Sequence, residues 1–219
     1  MSPETLFELV AWFVPVVLSL TVHEWAHAAS AAALGDDTAS REGRLTLNPI
    51  PHLDPIGTVV VPLMQLLPFG HVMFAWAKPV PVSPARFRRT ISMSLGMVIV
   101  AAAGPISNLL MALCAAVGLG LSRRFAASEP PAGVVAFLMM MLSFNVGLAV
   151  FNLVPIPPLD GSRVLHGLLP TRAALVYERI FPYAPFVLVG VMLLSGRLLG
   201  VPVALVSSLF YGVVDLVAG

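Results

Sequence analysis

The chain has 219 residues, of which 58 % are hydrophobic and only 11 % charged, and its mean hydropathy is +0.93. A soluble globular domain carries about 25 % charged residues, so the composition excludes that class and predicts an all-α polytopic membrane protein. The formal net charge of +1 offers nothing for electrostatic capture of nucleic acid, and the single cysteine, Cys114, rules out an intramolecular disulfide framework. Cys114 lies in an apolar run and reads as a packing residue. The N-terminal stretch does not read as a removable signal peptide. It has Glu4 and Glu8 where a basic region belongs.

The first predicted span runs from about Thr5 to Leu34 and contains His23-Glu24-Trp25-Ala26-His27, an H-E-x-x-H pattern. Residues four apart share one helix face, so the two imidazoles can grip one metal ion, with the glutamate between them placed to take a proton from water. Between Val10 and Leu34 the only charged side chain is Glu24. A charge at the centre of a membrane helix costs about 2.5–3.5 kcal/mol on insertion scales. A chance match would have avoided that cost with Leu or Ala, so the pattern reads as a metal site. Pro15 is expected to kink the span before the histidines.

After Gly35-Asp36-Asp37 the chain becomes turn-rich. The alternation at Leu45-Thr46-Leu47 permits a short strand, and Pro49, Pro51, Pro55 and Pro62 discourage a regular helix. Ile56–Phe69 is apolar but short, which suits a re-entrant segment better than a full crossing. Phe74–Val82 reads as an extended, proline-punctuated strand or loop, followed by basic Arg86, Arg88 and Arg89. Full spans are predicted at about Ser92–Leu121 and Gly133–Pro155, then a C-terminal helical hairpin over about 174–217 with its corner at Ser195-Gly196-Arg197. The expectation is therefore five to six transmembrane helices, with a re-entrant or β-strand segment between the first and second full spans. All belong to one integral membrane domain, 1–219, whose catalytic core covers about 5–170.

A catalytic zinc usually takes three protein ligands plus water, and H-E-x-x-H supplies two. Asp160 is the best candidate for the third. It closes Asn152-Leu153-Val154-Pro155-Ile156-Pro157-Pro158-Leu159-Asp160-Gly161, whose prolines hold the backbone out of helix and whose Gly161 permits a tight turn. The competing role for Asp160 is an N-cap on a following helix. Charge distribution favours the ligand. With the N-terminus outside and Ile56–Phe69 re-entrant, nine cations (Arg41, Arg44, Lys78, Arg86, Arg88, Arg89, Arg163, Arg172 and Arg179) face inward and three (Arg123, Arg124 and Arg197) face outward. That positive-inside bias selects the same topology that brings Asp160 to the inner end of the first span.

These motifs, with N-P-x-P-H-x-D-P-x-G-T at Asn48–Thr58, W-A-K-P-V-P-V at Trp76–Val82 and A-G-P-x-S-N at Ala103–Asn108, resemble the site-2 protease family of zinc intramembrane metalloproteases. The likeness covers roughly residues 10–170, and the size resembles the minimal bacterial subgroup without a PDZ or CBS domain. It implies a multi-pass enzyme of the bacterial inner membrane, with one catalytic Zn2+ held by His23, His27 and Asp160. It also implies Glu24 as the catalytic general base and Asn152 as the catalytic residue beside the metal that donates to the oxyanion. The active site would lie toward the cytoplasm, and the substrate would be a transmembrane protein or signal-peptide remnant. His52 and Asp54 are uncertain, as a gate to the metal or as structural turn residues. Asn108 is expected to bond across helices, while His71 and His166 read as loop or interfacial residues.

A helix hides its carbonyls, so a substrate must unwind locally, and the extended Phe74–Val82 segment is positioned to pair with it by edge addition. The alternative is a divalent-metal membrane transporter using His23, Glu24, His27 and Asp160 as an ion path. The protease spacing, and the lack of a second ligand set on the remaining spans, weigh against it. An inactive scaffold is disfavoured by the intact Glu24 and ligand set.

Overall fold

The computed structural model describes residues 3–69, 75–125 and 130–219; His71 and Phe74 lie outside the described residues. The fold is all-α, and among the described residues there is no strand. Helix α1 (Pro3–Ala33) is 31 residues long and continues through Pro15. At ~1.5 Å per residue it measures about 46 Å, more than the ~30 Å of a hydrocarbon core. Its end is closed by a Schellman cap, Asp36 N–H to Ala31 O at 2.9 Å and Gly35 N–H to Ala32 O at 3.0 Å.

A one-turn helix, α2 (Thr38–Arg41), a 3-10 turn (Ile50–His52), a π-helical turn (Pro55–Val60) and α3 (Val61–Phe69) follow. Next come a 3-10 turn (Pro84–Arg86) and the long helices α4 (Met93–Phe125) and α5 (Ala132–Asn152). The chain ends with α6 (Asp160–Leu168), α7 (Thr171–Tyr177), a 3-10 turn (Glu178–Tyr183), α8 (Ala184–Leu198) and α9 (Gly200–Ala218). By length and composition, α4, α5, the stretch Thr171–Val191 and α9 are apolar enough to cross a membrane. Helix α4 is central, packing against α1, α5, α6 and α9. Its face toward α5 and α9 forms a dry core of Ala112, Ala116 and Leu119 with Leu142, Val146 and Val214.

Four expectations change. Leu45–Leu47 is not a strand, because Thr46 O accepts from the His52 ring at 2.9 Å and Thr46 Oγ1 accepts Asn48 N–H at 3.1 Å. These local bonds use the groups a ladder would need. Helix α5 stops at Asn152 rather than Pro155, since the residue before a proline is pushed out of helical geometry. The corner of the C-terminal pair falls at Leu199, because α8 keeps Gly196 inside the helix. Cys114 is exposed on α4, on an outward-facing position rather than in the core.

Residues 75–83 are extended but unpaired with any strand. Trp76 N–H donates to Gly57 O at 3.2 Å, Lys78 N–H to His52 O at 2.9 Å, and Ser83 N–H to Asp36 Oδ2 at 2.6 Å. Thr58 Oγ1–H donates to Trp76 O at 2.8 Å, and the Arg44 guanidinium donates to Lys78 O and Pro79 O. Pro79 and Pro81 lack N–H donors, so no continuous ladder can form. His52 and Asp54 both take part in holding this loop. His52 is buried and organises this loop, and Asp54 accepts Ile56 and Gly57 N–H at the start of the π-helical turn.

Asp36 is the corresponding anchor at the end of α1. Burial would push its carboxyl up. Hydrogen bonds from Thr38 Oγ1–H, Ser83 N–H and Thr38 N–H, with Arg86 nearby, outweigh that and hold it below the ordinary carboxylate range. A depressed carboxyl stabilises the fold above its unfolded-state value and loses that contribution as pH falls through the folded one. Asp36→Ala is expected to lower stability by about 2–3 kcal/mol, since buried donors lose a charged acceptor. It should also flatten the acid limb of the stability–pH curve, as read by thermal unfolding in detergent between neutral and acid pH.

Candidate metal centre

Ser19, His23 and His27 form an i, i+4, i+8 stripe on α1, and all three are buried against α4 and α5. Asp160 reaches the same point from the start of α6. It is not a capping residue: Leu159 holds the cap position and no side-chain cap bond is made. The preceding loop is held by Tyr177 Oη–H donating to Pro155 O at 2.8 Å. Gly161 is helical here, and its missing side chain serves close packing, since a Cβ would lie 2.2 Å from Leu153 O.

Three ligand atoms converge. His23 Nε2 and His27 Nε2 are 3.0 Å apart, and Asp160 Oδ2 lies 3.1 and 3.3 Å from them. No donor with hydrogen-bonding geometry reaches that buried carboxylate oxygen. The far side of each ring explains why. His23 Nδ1 lies 2.6 Å from Asn108 Oδ1, and His27 Nδ1 lies 2.7 Å from Val100 O. A backbone carbonyl only accepts, and the amide oxygen likewise, so both Nδ1 atoms carry a proton, and each ring in its neutral form presents the Nε2 lone pair to the cluster. With both rings neutral, three electron-rich atoms face one another at contact distance. A proton could relieve one of these approaches, whereas a divalent cation relieves all three. Tetrahedral zinc with bonds of about 2.0–2.1 Å separates its ligand atoms by about 3.3 Å, close to the observed triangle. Among the described residues, His23, His27 and Asp160 are the group of this kind.

Gly104 on α4 leaves the space for this cluster. A Cβ there would sit 2.5 Å from His27 Nε2 and 2.6 Å from His23 Cε1. Glu24, half-buried on the adjoining side of α1, accepts Val80 N–H through Oε2 at 2.9 Å. Asn152 ends α5, and its amide donates to Leu148 O at 3.0 Å within its own helix. Its side chain makes no hydrogen bond to the histidines or to Asp160. Asn108 bonds across helices as expected and orients His23. Two residues with no motif around them join it: Asn145, which accepts the Asn108 amide at 2.8 Å, and Ser19, whose Oγ accepts the Asn145 amide at 2.8 Å. Their only sequence signal is polarity inside otherwise apolar spans. His166 pairs with Glu178 Oε1 at 2.8 Å, on the surface of α6. An apolar cavity of about 560 Å3 opens between α1, α5, α8 and α9, lined by Trp12, Ala75, Phe144, Leu148, Phe151 and Gly200.

A buried His–His–Asp triangle with a glutamate one residue from the first histidine is the donor set of a zinc hydrolase, here set among helices long and apolar enough to cross a membrane. Comparison with known proteins agrees. The sequence model of Peptidase family M50 matches residues 119–195. The chain is 37 % identical over 191 residues to YwhC of Bacillus subtilis (strain 168), named a zinc metalloprotease, covering 85 % of this chain and 82 % of that one. It is 32 % identical over 151 residues to Rip2 of Mycolicibacterium smegmatis, also named a zinc metalloprotease, covering 68 % of this chain and 54 % of that one. No solved structure matches. The chain belongs to peptidase family M50, the site-2 proteases, and is a multi-pass zinc metalloprotease.

Gly104→Ala is expected to push the imidazoles apart and weaken zinc binding at least ~10-fold, overpacking of this kind costing about 1–3 kcal/mol. Chelator competition on the purified protein measures it.

Proposed function

We propose that this enzyme is an intramembrane endopeptidase cutting transmembrane proteins or signal-peptide remnants near the cytoplasmic face of a bacterial inner membrane. In this reading His23, His27 and Asp160 are the metal ligands, Glu24 is the general base and Asn152 assists at the oxyanion. The observation that carries it is the meeting of two imidazole Nε2 atoms and one carboxylate oxygen within 3.0–3.3 Å, with Glu24 on the adjoining turn of α1. The inward bias of nine cations supports the cytoplasmic orientation. The same topology brings the C-terminal end of α5, with Asp160, to the metal-binding half of α1. The whole of 1–219 would act as one domain, in which the core over about 5–170 holds the chemistry.

Zinc, when bound, supplies the Lewis acidity that polarises the scissile carbonyl and eases ionisation of water near neutral pH. Glu24 takes the proton of the attacking water and returns it to the leaving amine, so one carboxylate serves as base and then acid. The Val80 N–H holds Oε2 and leaves Oε1 for that exchange. Asn152 sits at the last residue of α5, where exchange of its Leu148 bond for one to the substrate would stabilise developing negative charge. A substrate helix lodged in the apolar cavity would pass Ala75 on its way to the site. There its unwound stretch can add to the edge of residues 75–83 that the loop does not occupy.

Metal transport is the second reading, and it needs further ligands along a path. Among the described residues no second group of metal-ligating side chains accompanies the triangle.

Glu24→Gln is expected to lose about 10²–10⁴-fold in cleavage of a model transmembrane substrate in liposomes, with zinc content unchanged at about one per chain. Equal cleavage by the variant would remove Glu24 from the chemistry. Ala77→Pro, which deletes a main-chain N–H of the extended segment, should reduce cleavage with zinc content preserved. Undiminished cleavage would end the edge-addition proposal.

A further inference from the structure

We propose that Asn145 and Ser19 are positioning residues for the metal: together they set the orientation of the Asn108 amide, and through it which ring nitrogen of His23 faces the metal. The proposal rests on the ligand assignment above.

Asn145 on α5, Asn108 on α4 and Ser19 on α1 are completely buried where the three helices meet. Their polar atoms form one directed chain. The Asn108 Nδ2 group donates to Asn145 Oδ1 at 2.8 Å and to Ser19 O at 3.3 Å, and its Oδ1 accepts His23 Nδ1–H at 2.6 Å. The Asn145 Nδ2 group donates to Met141 O and to Ser19 Oγ, each at 2.8 Å.

An amide can sit either way round, and only its partners decide which. Two of the partners here, Met141 O and Ser19 O, are backbone carbonyls that can only accept. Met141 O obliges Asn145 to point its Nδ2 group along α5, which leaves Asn145 Oδ1 facing Asn108. That oxygen, with Ser19 O, obliges Asn108 to turn its own Nδ2 group toward them. Asn108 Oδ1 is then left for His23, so Nδ1 must carry the ring proton and Nε2 must be free for the metal. Reversing Asn108 would set its single oxygen against both Asn145 Oδ1 and Ser19 O, leaving buried acceptors facing one another without a donor. The polarity is thus fixed at Met141, two side chains away from the imidazole it governs.

The fit of this chain to the metal is an outer-shell effect, in which loss of the partner of a ligating histidine typically lowers metal affinity by about 10–100-fold. Zinc dissociation constants are to be measured by chelator competition on purified wild type, Asn145→Ala, Asn108→Ala, Ser19→Ala and the Asn108→Ala/Asn145→Ala double variant, with apo-protein melting followed in parallel. Asn145→Ala should weaken zinc by roughly 10-fold or more, Ser19→Ala by less and in the same direction. The double variant should be no weaker than Asn108→Ala, because Asn145 acts through Asn108.

Asn145→Ala that lowers the melting temperature and leaves zinc affinity unchanged would overturn the proposal, as would losses that add in the double variant. Should Asn145→Ala fail to fold, Ser19→Ala carries the same decision, since it removes one acceptor and little volume. His23→Ala and Asp160→Ala serve as controls on the underlying assignment. Zinc retained at wild-type affinity in both would show that the ligand set, rather than the positioning chain, was misassigned.

Discussion

The structure is organised around one convergence: two buried imidazole nitrogens and a buried carboxylate oxygen, brought to the spacing at which one cation could be held by all three. His23 Nε2, His27 Nε2 and Asp160 Oδ2 stand within 3.0–3.3 Å, and the Nδ1 atoms on the far side of each ring face acceptor oxygens. In a medium that cannot hydrate them, such atoms are tolerated only where an ion binds or a cavity admits water. Much of the surrounding architecture can be understood as holding the triangle open. Gly104 withholds a side chain where one would collide with the imidazoles. Val100 O and Asn108 fix the rings, and the loop before α6, tied by Tyr177, delivers Asp160 from a different part of the chain.

The second organising element is the non-helical segment 75–83. Its inner edge is fastened to the Asn48–Thr58 loop, to Arg44, to Asp36 and to Glu24. The flanking prolines, Pro79 and Pro81, leave Val80 as an isolated donor, and it is this N–H that meets the carboxylate of Glu24. Irregular backbone at membrane depth persists only where protein or a water-lined space satisfies it, and here side chains and carbonyls of these four stretches do so. The same segment borders the apolar cavity through Ala75. The proposed substrate path and the proposed base thus share one piece of backbone.

Residues whose signal is periodic or topological were legible in the sequence. His23 and His27 share a face by spacing alone, and Asp160 followed from the charge bias together with the need for a third ligand. The long helices followed from hydropathy. What stayed hidden depends on backbone polarity or on a partner far away in the chain. Asn145 and Ser19 are single polar residues in apolar spans, and their role appears only when α1, α4 and α5 are packed. Val80 contributes a main-chain N–H, which no residue type announces. The short strand expected at Leu45–Leu47 failed because Thr46 and Asn48 bond locally, a competition that alternation does not reveal. Gly196 suggested a corner, yet a glycine inside a helix is tolerated, and the turn fell at Leu199.

Zinc-edge X-ray absorption on the purified, zinc-loaded enzyme is the most direct measurement of the central claim. The account predicts a first shell of nitrogen and oxygen at about 2.0–2.2 Å, with two imidazoles, one carboxylate, no sulfur and four-coordination completed by solvent. A sulfur scatterer at about 2.3 Å, or a shell with fewer than two imidazoles, would contradict it and place the metal elsewhere in the chain.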